Sequence, residues 1–297
     1  METRVREEEH EAVKTREWRQ TLRYGLDVIG DIHGNATLLI ALLSKLGYEM
    51  RDGVYAHPDG RMAAFTGDLV DGGDRNLDTI DIVRGMVTSG SAVAIMGNHD
   101  FNIVAFNRPH PLRPGAFLRS HSKRHAHQCA TTQAEIEAHP TRGHAALTFL
   151  ATMPLWLELP GVRLVHAHWD RASMSVLEPH LDETNALTSD GFVAAAALKG
   201  SVGDARSLLL SGPEAACEPY LDRYGHERTM DRVRWWHQDT DTDARPLFFG
   251  HYALKAPLAV HGRAVCVDAG VGKGGPIAAY RFNEREKLSD ANFVYSA

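Results

Sequence analysis

Gly30-Asp31-Ile32-His33-Gly34 decides the fold prediction, because this short polar turn directly follows the apolar run Leu26 to Ile29. A short apolar run that ends in a glycine-bounded turn is typical of a buried strand. The aspartate and the histidine of the turn are oxygen and nitrogen donors of the kind that hold hard and borderline metal ions. The turn therefore predicts one part of a metal site, at the carboxyl end of a strand.

Two further polar turns repeat this arrangement along the chain. Gly67-Asp68-Leu69-Val70-Asp71-Gly72-Gly73 follows the apolar residues Met62 to Phe65, and Gly97-Asn98-His99-Asp100 follows Ala92 to Met96. Each of the three apolar runs thus delivers residues that can bind a metal ion.

Helical patterns separate these strands. Apolar residues recur at helical spacing from Ala36 to Leu46, where Asn35 is a plausible cap, and from Asn76 to Thr88. Strands and helices that alternate in this way indicate βαβ units and a parallel sheet. Because ligands of such sheets bind beyond the carboxyl ends of the strands, all three turns are expected at one site.

The remaining chain predicts further strands and two insertions. Thr141 to Thr152 has a helical pattern, and strands are expected at Trp156 to Leu159, Val162 to Val165, Pro246 to Phe249, Ala264 to Val267 and, as an edge or return strand, Ile277 to Phe282. The predicted organisation is a charged extension at 1–24 and a catalytic domain at 25–297. Cap insertions are expected at about 101–150, rich in proline, histidine and arginine, and at about 171–235, mostly helical.

Composition narrows the classes of function. The net charge of -6 argues against a stable nucleic acid complex. It is compatible with a local basic pocket for a phosphorylated substrate. Three widely spaced cysteines without a CxxC pair favour a reducing compartment, which is the cytoplasm by default. The chain lacks an apolar segment of about 18 residues, which argues against a membrane-spanning helix.

Six residues at strand ends form a candidate ligand set: Asp31, His33, Asp68, Asn98, His166 and His251. Each alone would fit a turn, a helix cap or a satisfied polar residue. Their joint occurrence favours a site for two ions, because one carboxylate can bridge a metal pair that promotes displacement at phosphorus. Phosphate ester hydrolysis is the natural use of such a pair.

The motifs GDIHG, GDLVDGG, GNHD, LVHAH and FFGHY occur in the order that resembles the calcineurin-like metallophosphoesterase superfamily, from about Leu26 to Phe282. The resemblance implies an α/β fold, a four-layer αββα sandwich with helical or loop cap insertions. Within the superfamily it points to the phosphoprotein-phosphatase branch, including its bacterial members and the symmetrical dinucleoside tetraphosphate hydrolases.

The resemblance also implies roles for the motif residues. Asp31 and His33 would hold the first ion, Asp68 would bridge, and Asn98, His166 and His251 would hold the second. His99 would be the general acid that Asp71 orients. Two ions are implied, with Mn²⁺ and/or Fe expected and Zn²⁺ an alternative.

One departure from the family pattern concerns the substrate. The branch pattern GDxVDRG places a phosphate-binding arginine where this chain has Gly72. Arg75, Arg234 or another arginine would have to replace it, and His168 is a further candidate contact. A second departure, Asp100 in place of the usual glutamate, need not alter the chemistry.

The expected activity is hydrolysis of phosphomonoesters, of a phosphoprotein or a small molecule, by attack of a metal-bridging hydroxide. Symmetrical hydrolysis of a dinucleoside polyphosphate and phosphodiester hydrolysis are the alternatives. A protein of a different class, an inactive metal-binding regulator, also fits the loss of arginine at position 72.

Overall fold

The computed structural model describes residues 23–197, 199–221, 227–238 and 242–297. Nearly all of the predicted extension at 1–24 lies outside these residues. Two β-sheets face each other and carry helices on their outer surfaces. None of the helices in the described ranges is long and apolar enough to cross a bilayer.

The first sheet has five strands in the order β13-β12-β1-β4-β5. Strands β1, β4 and β5 are parallel, whereas β12 and β13 return antiparallel. The bounds are β1 Leu26–Ile29, β4 Met62–Phe65, β5 Ala92–Ala94, β12 Ala278–Phe282 and β13 Phe293–Tyr295. The strand predicted at 277–282 is therefore a return strand inside the sheet, paired on both sides.

The second sheet has four strands in the order β11-β10-β7-β6. Strands β7, β10 and β11 are parallel, and β6 pairs antiparallel with β7. The bounds are β6 Trp156–Leu159, β7 Val162–Val165, β10 Leu247–Phe249 and β11 Ala264–Cys266. A separate hairpin, β2 Glu49–Arg51 with β3 Val54–Ala56, precedes β4.

The inner faces of the two sheets form a dry layer. Side chains alternate across each strand, so Val28 of β1 and Phe248 of β10 point into this layer, while Ile29 belongs to the other hydrophobic cluster. The rings of Phe248 and Tyr280 join the sheets at 5.2 Å between centroids. Helices cover the outer faces, which gives the expected four-layer sandwich.

The described helices have the bounds α1 Ala36–Leu46, α2 Asn76–Thr88, α3 Asn98–Asn107, α4 Lys123–Gln128, α5 Ala130–Ala138, α6 Pro140–Ala151, α7 Arg171–Leu177, α8 Ser189–Ala195 and α9 Ser201–Ser211. Helix α3 overlaps the start of the first expected insertion, yet Phe101 and Ile103 are buried in the main core. The side chain of Asn35 does not cap α1; its amide donates to the carbonyls of Ile32 and His33 at 2.8 Å.

The second expected insertion differs from the mostly helical prediction. After α9 the chain forms an antiparallel ribbon of β8 Glu214–Leu221 and β9 Glu227–Arg232. Most of β8 is exposed, so the strand shows none of the apolar alternation from which a half-buried strand is recognised.

Candidate active site

All six candidate ligands converge where the carboxyl ends of the parallel strands of both sheets meet. Asp31 and His33 follow β1, Asp68 follows β4, and Asn98 begins α3 just beyond β5. His166 follows β7 and His251 follows β10, so the second sheet supplies the two remaining candidate ligands.

Asp68 lies at the centre of this group. One carboxylate oxygen, Oδ2, is 3.8 Å from Nε2 of His33, and the other, Oδ1, is 3.3 Å from Nε2 of His166. Asp68 belongs to two sets of possible donor atoms, and the atoms within each set lie within 4.8 Å of one another. One set also contains His33 and His99, and the other contains His166 and His251. A carboxylate shared in this way has the placement that a bridging ligand requires.

Asn98 joins the two histidines of the second sheet. Its Oδ1 is 3.1 Å from Nε2 of His166 and 2.8 Å from Nδ1 of His251. The remaining ring nitrogen of His166 is fixed by the carbonyl of Thr66 at 2.7 Å, and that of His33 by the carbonyl of Val70 at 3.0 Å. Such backbone contacts orient the free nitrogen of each ring toward the cluster.

Asp31 is held against the second sheet. The backbone amide of His251 donates to both of its carboxylate oxygens at 3.2 Å. A Cβ atom at Gly250 would lie 2.1 Å from Oδ1 of Asp31, so the glycine of this motif makes room for the carboxylate. Burial, and the nearby carboxylates of Asp268 and Asp68, raise the pKa of Asp31 well above its usual value.

The charge distribution suits bound cations. Burial disfavours ionised Asp68, but the neighbouring His166 and His99 outweigh it and hold the pKa of Asp68 well below its usual value. Burial lowers the pKa of His33 and, together with Arg232, that of His251, whereas Asp68 outweighs burial and raises the pKa of His166. Carboxylate oxygens and imidazole nitrogens that lie together in a buried site are donors for divalent metal ions, so the residues present fit a metal pair.

His99 and Asp71 form a hydrogen-bonded pair beside the cluster. Nδ1 of His99 is 2.8 Å from Oδ2 of Asp71, and the backbone amide of His99 donates to Oδ1 of Asp68 at 2.8 Å. Thr132, from helix α5, donates its hydroxyl to the other oxygen of Asp71 at 2.5 Å. The sequence motifs contain both members of the pair but not the threonine, which lies in the first expected insertion.

Asp100 connects two of the motif turns. Its buried carboxylate accepts hydrogen bonds from the amides of Asp68, Leu69 and Gly97 at 2.8, 3.0 and 2.9 Å. Burial and the charge of Asp68 raise the pKa of Asp100 to about 7. Asp100 thus fixes the backbone that carries the Asp68 carboxylate.

The backbone of the site is held in an uncommon conformation. His33, Asp68, Asp71 and His251 have φ values of 48°, 52°, 68° and 71°, in the left-handed region that side chains rarely adopt. Strain of this kind persists where surrounding contacts determine the conformation, and it is frequent at functional sites.

The predicted substrate contacts lie outside the metal-ligand cluster. The guanidinium of Arg75 pairs with Asp78 and Thr37, each at 2.9 Å, and the ring of His168 packs edge-on against Trp235. Arg234 is exposed, just before Trp235. Their contact with substrate stays a prediction.

Arg232 was not among the predicted contacts, yet it reaches the site. It donates from Nη1 to the carbonyl of His251 at 2.6 Å. Gly72 has a φ of 123°, so an arginine side chain at that position would require a strained backbone.

Similarity to known proteins agrees with this geometry. The model of the calcineurin-like phosphoesterase family matches residues 26–268. The chain is 28% identical over 269 residues to a Geobacillus sp. (strain WCH70) protein named bis(5'-nucleosyl)-tetraphosphatase PrpE [asymmetrical], with 89% of this chain and 93% of that protein covered. A protein of the same name from Halalkalibacterium halodurans is 28% identical over 271 residues, with 89% and 92% covered.

Among solved structures, a protein serine/threonine phosphatase from Saccharomyces cerevisiae superposes with a TM-score of 0.51 at 13% identity, covering 91% of this chain and 78% of that one. This likeness concerns the fold alone. Membership of the family implies a dinuclear metal centre, for which the cluster around Asp68 provides candidate ligands. The chain belongs to the calcineurin-like phosphoesterase family and is a metal-dependent phosphoric ester hydrolase.

Proposed function

We propose that this enzyme hydrolyses dinucleoside tetraphosphates asymmetrically, with a pair of metal ions held around Asp68. In this proposal Asp31 and His33 bind the first ion, and Asp68 bridges to the second. Asn98, His166 and His251 complete the second site. The observation that carries the proposal is the position of Asp68, whose two oxygens face His33 and His166 at 3.8 and 3.3 Å.

When bound, the ion pair supplies an activated water as nucleophile and neutralises charge on the phosphate. His99 then donates a proton to the departing oxygen. Its Nδ1 bonds to Asp71, so Nε2 is the atom left to face the leaving group. The side chain of His99 is 20% exposed, whereas that of Asp71 is 2% exposed, so the histidine is the member of the pair that substrate can reach.

Manganese and/or iron are proposed as the metals, because the donors are oxygen and nitrogen atoms; zinc is the alternative. The free cysteines Cys129, Cys217 and Cys266 do not belong to the two donor sets, and they agree with a reducing, cytoplasmic location.

The tetraphosphate substrate is supported by the named relatives, which align over about nine-tenths of this chain and of their own length. Phosphomonoester hydrolysis is the second candidate, because a proton from His99 would serve a departing alcohol as well as a departing phosphate. The retained His99–Asp71 pair speaks against the inactive regulator.

Arg232 is proposed as the residue that takes over the role of the arginine missing at position 72. Its guanidinium already lies against the carbonyl of His251. An arginine can bind phosphate through two parallel hydrogen bonds, which makes it the suitable side chain for this role. Arg75, Arg234 and His168 are the further proposed contacts at the rim.

Product analysis tests the proposal. The manganese-loaded enzyme is incubated with diadenosine tetraphosphate, p-nitrophenyl phosphate and bis(p-nitrophenyl) phosphate in parallel. Equal amounts of ATP and AMP from the tetraphosphate are expected. Two ADP molecules would establish symmetrical cleavage instead, and turnover of the monoester alone would establish the second candidate. Absence of hydrolysis of every substrate would overturn the proposed chemistry.

A further inference from the structure

Two arginines from different segments converge in the helical layer beside His99 and Asp71. Arg119 lies between α3 and α4, and Arg206 lies on α9. Each side chain is partly buried, and the charge of Arg119 acts on Arg206. The sequence motifs do not include either residue, and the metal chemistry uses neither.

Arg119 is placed close to the general acid pair. Its amide donates to the carbonyl of Ala105 on α3 at 2.9 Å, and its Nη2 donates to Oε1 of Gln128 at 2.7 Å. Gln128 ends α4, and the next helix begins with the turn that brings Thr132 to Asp71. The Nη1 group of Arg119 is buried without a hydrogen-bond partner among the described residues.

Arg206 is fixed against the same helix that carries His99. Its guanidinium lies 4.6 Å from the ring centroid of Phe101, two residues beyond His99, and its Nε donates to the carbonyl of Ala195 at 3.1 Å. The ring of Phe101 in turn stacks on Phe192 at 4.8 Å. These contacts hold the guanidinium in one place.

The electrostatic environment of the two arginines is unfavourable without an anion. Burial and the charge of Arg119 lower the pKa of Arg206 to about 10, and burial lowers the pKa of Arg119. An unsatisfied buried guanidinium N–H costs free energy, and a second cation nearby adds to that cost. The Asp71 carboxylate offsets part of the charge of Arg119, but it already bonds to His99 and Thr132.

We propose that Arg119 and Arg206 form a subsite for the phosphate groups of the substrate that lie beyond the phosphate being cleaved. This inference rests on the proposed function. The charge of Arg119 interacts with Asp71, and Arg206 contacts Phe101, two residues beyond His99. A polyphosphate leaving group would therefore reach the two arginines, and a simple alcohol would not. The orphan Nη1 of Arg119 would donate to a phosphate oxygen, which is a strong contact for a guanidinium.

The test compares Arg119→Met and Arg206→Met with the parent enzyme, with manganese in excess. Each substitution is expected to lower kcat/KM for diadenosine tetraphosphate about 10-fold more than for p-nitrophenyl phosphate, mainly through KM. Inhibition of p-nitrophenyl phosphate hydrolysis by phosphate, pyrophosphate and tripolyphosphate is measured at constant free manganese. The parent enzyme should bind the inhibitors with more phosphate groups more tightly. Each variant should lose most of this dependence of affinity on phosphate chain length.

Arg113→Met is the matched control, because Arg113 is an exposed arginine of the same insertion. It should leave both rates and the chain-length dependence unchanged. Equal losses on both substrates, with an unchanged dependence on chain length, would show a structural role for the two arginines and overturn the subsite. If a methionine variant does not fold, Arg206→Lys and Arg119→Lys keep the charge and should give intermediate affinity.

An error in the proposed activity and an error in the proposed subsite can be told apart by measuring binding separately from hydrolysis. If the parent enzyme hydrolyses no substrate, calorimetric titration of tripolyphosphate still measures the subsite directly. Binding that Arg119→Met weakens about 10-fold supports the subsite, and equal binding by parent and variant contradicts it.

Discussion

His99 and Asp71 form a direct hydrogen bond of 2.8 Å between Nδ1 and Oδ2 at the edge of the ligand cluster. Burial lowers the pKa of His99, but the carboxylates of Asp68 and Asp71 outweigh it and raise the pKa. A histidine whose protonated form is favoured in this way is suited to act as a general acid.

The loss of kcat on replacement of the general acid His99 should depend on the leaving group of the substrate. His99→Gln is expected to reduce kcat by about 10²- to 10⁴-fold for an alkyl phosphate. The loss should be smaller for p-nitrophenyl phosphate and for diadenosine tetraphosphate, because p-nitrophenolate and a nucleotide phosphate with a second pKa of about 6 depart without needing a proton. Equal losses across a series of phosphomonoesters with leaving groups of different pKa would contradict the role of His99.

Removal of the Asp71 charge should change the pH profile. Asp71→Asn eliminates a carboxylate that raises the pKa of His99. The acid would then lose its proton at a lower pH, so the alkaline limb of the kcat profile should move to lower pH. An unchanged limb, measured with a substrate that needs protonation of its leaving group, would show that the limb belongs to another group.

Thr132 should act through Asp71. Thr132→Val removes the 2.5 Å hydrogen bond to the carboxylate while keeping the side chain's shape. We expect about a 10-fold loss of kcat, as for other residues that position an active-site group, with little change in KM. Thr131→Val is the control because Thr131 is the exposed neighbour on the same helix; a similar loss in both variants would refute the specific role.

Asp68 should govern metal content as well as rate. Asp68→Asn removes a charge from both donor sets, so the variant should bind fewer than two ions per chain and lose nearly all turnover. Elemental analysis after gel filtration measures the first effect. Asp74→Asn, an exposed change in the same loop, should retain both the metal and the activity.

A stability prediction concerns the ion-pair network at the start of β7. The hydrogen bond from Arg245 holds the pKa of Asp243 below its usual value, and fully buried Arg163 lies 3.7 Å away. A lowered folded-state pKa stabilises the protein above the unfolded-state pKa, about 4, and this stabilisation is lost as pH falls through the folded-state value.

At pH 7, Asp243→Asn should therefore reduce the free energy of unfolding by about 1 to 3 kcal/mol. The deficit should shrink below pH 4. Urea unfolding at both pH values measures it, with the exposed Asp59→Asn as the control. A deficit that does not depend on pH would mean that the charge of Asp243 is not its source.

The sequence predicts the sandwich strands well because their burial is regular. Leu26–Ile29 and Met62–Phe65 are buried runs with a glycine one or two residues beyond their ends, where the motif turns begin. The exposed ribbon β8–β9 was missed because a strand outside the core carries no apolar pattern.

The metal-ligand candidates were also readable from the sequence, since they sit at fixed places in motifs. Thr132, Arg119 and Arg206 were not, because they lie outside the motifs, in the two expected insertions, and only tertiary packing brings them near His99 and Asp71. The left-handed backbone at Asp68 and His251 was equally unreadable, since only a small fraction of non-glycine residues adopts that conformation.

Metal analysis tests the central claim most directly. The protein is purified without added metal, its metal content is determined, and hydrolysis of diadenosine tetraphosphate is followed with and without manganese and after chelation. We predict up to two ions per chain, stimulation by manganese and loss of activity on chelation. A protein that takes up no metal ions and gains no hydrolysis from manganese would contradict the dinuclear centre around Asp68.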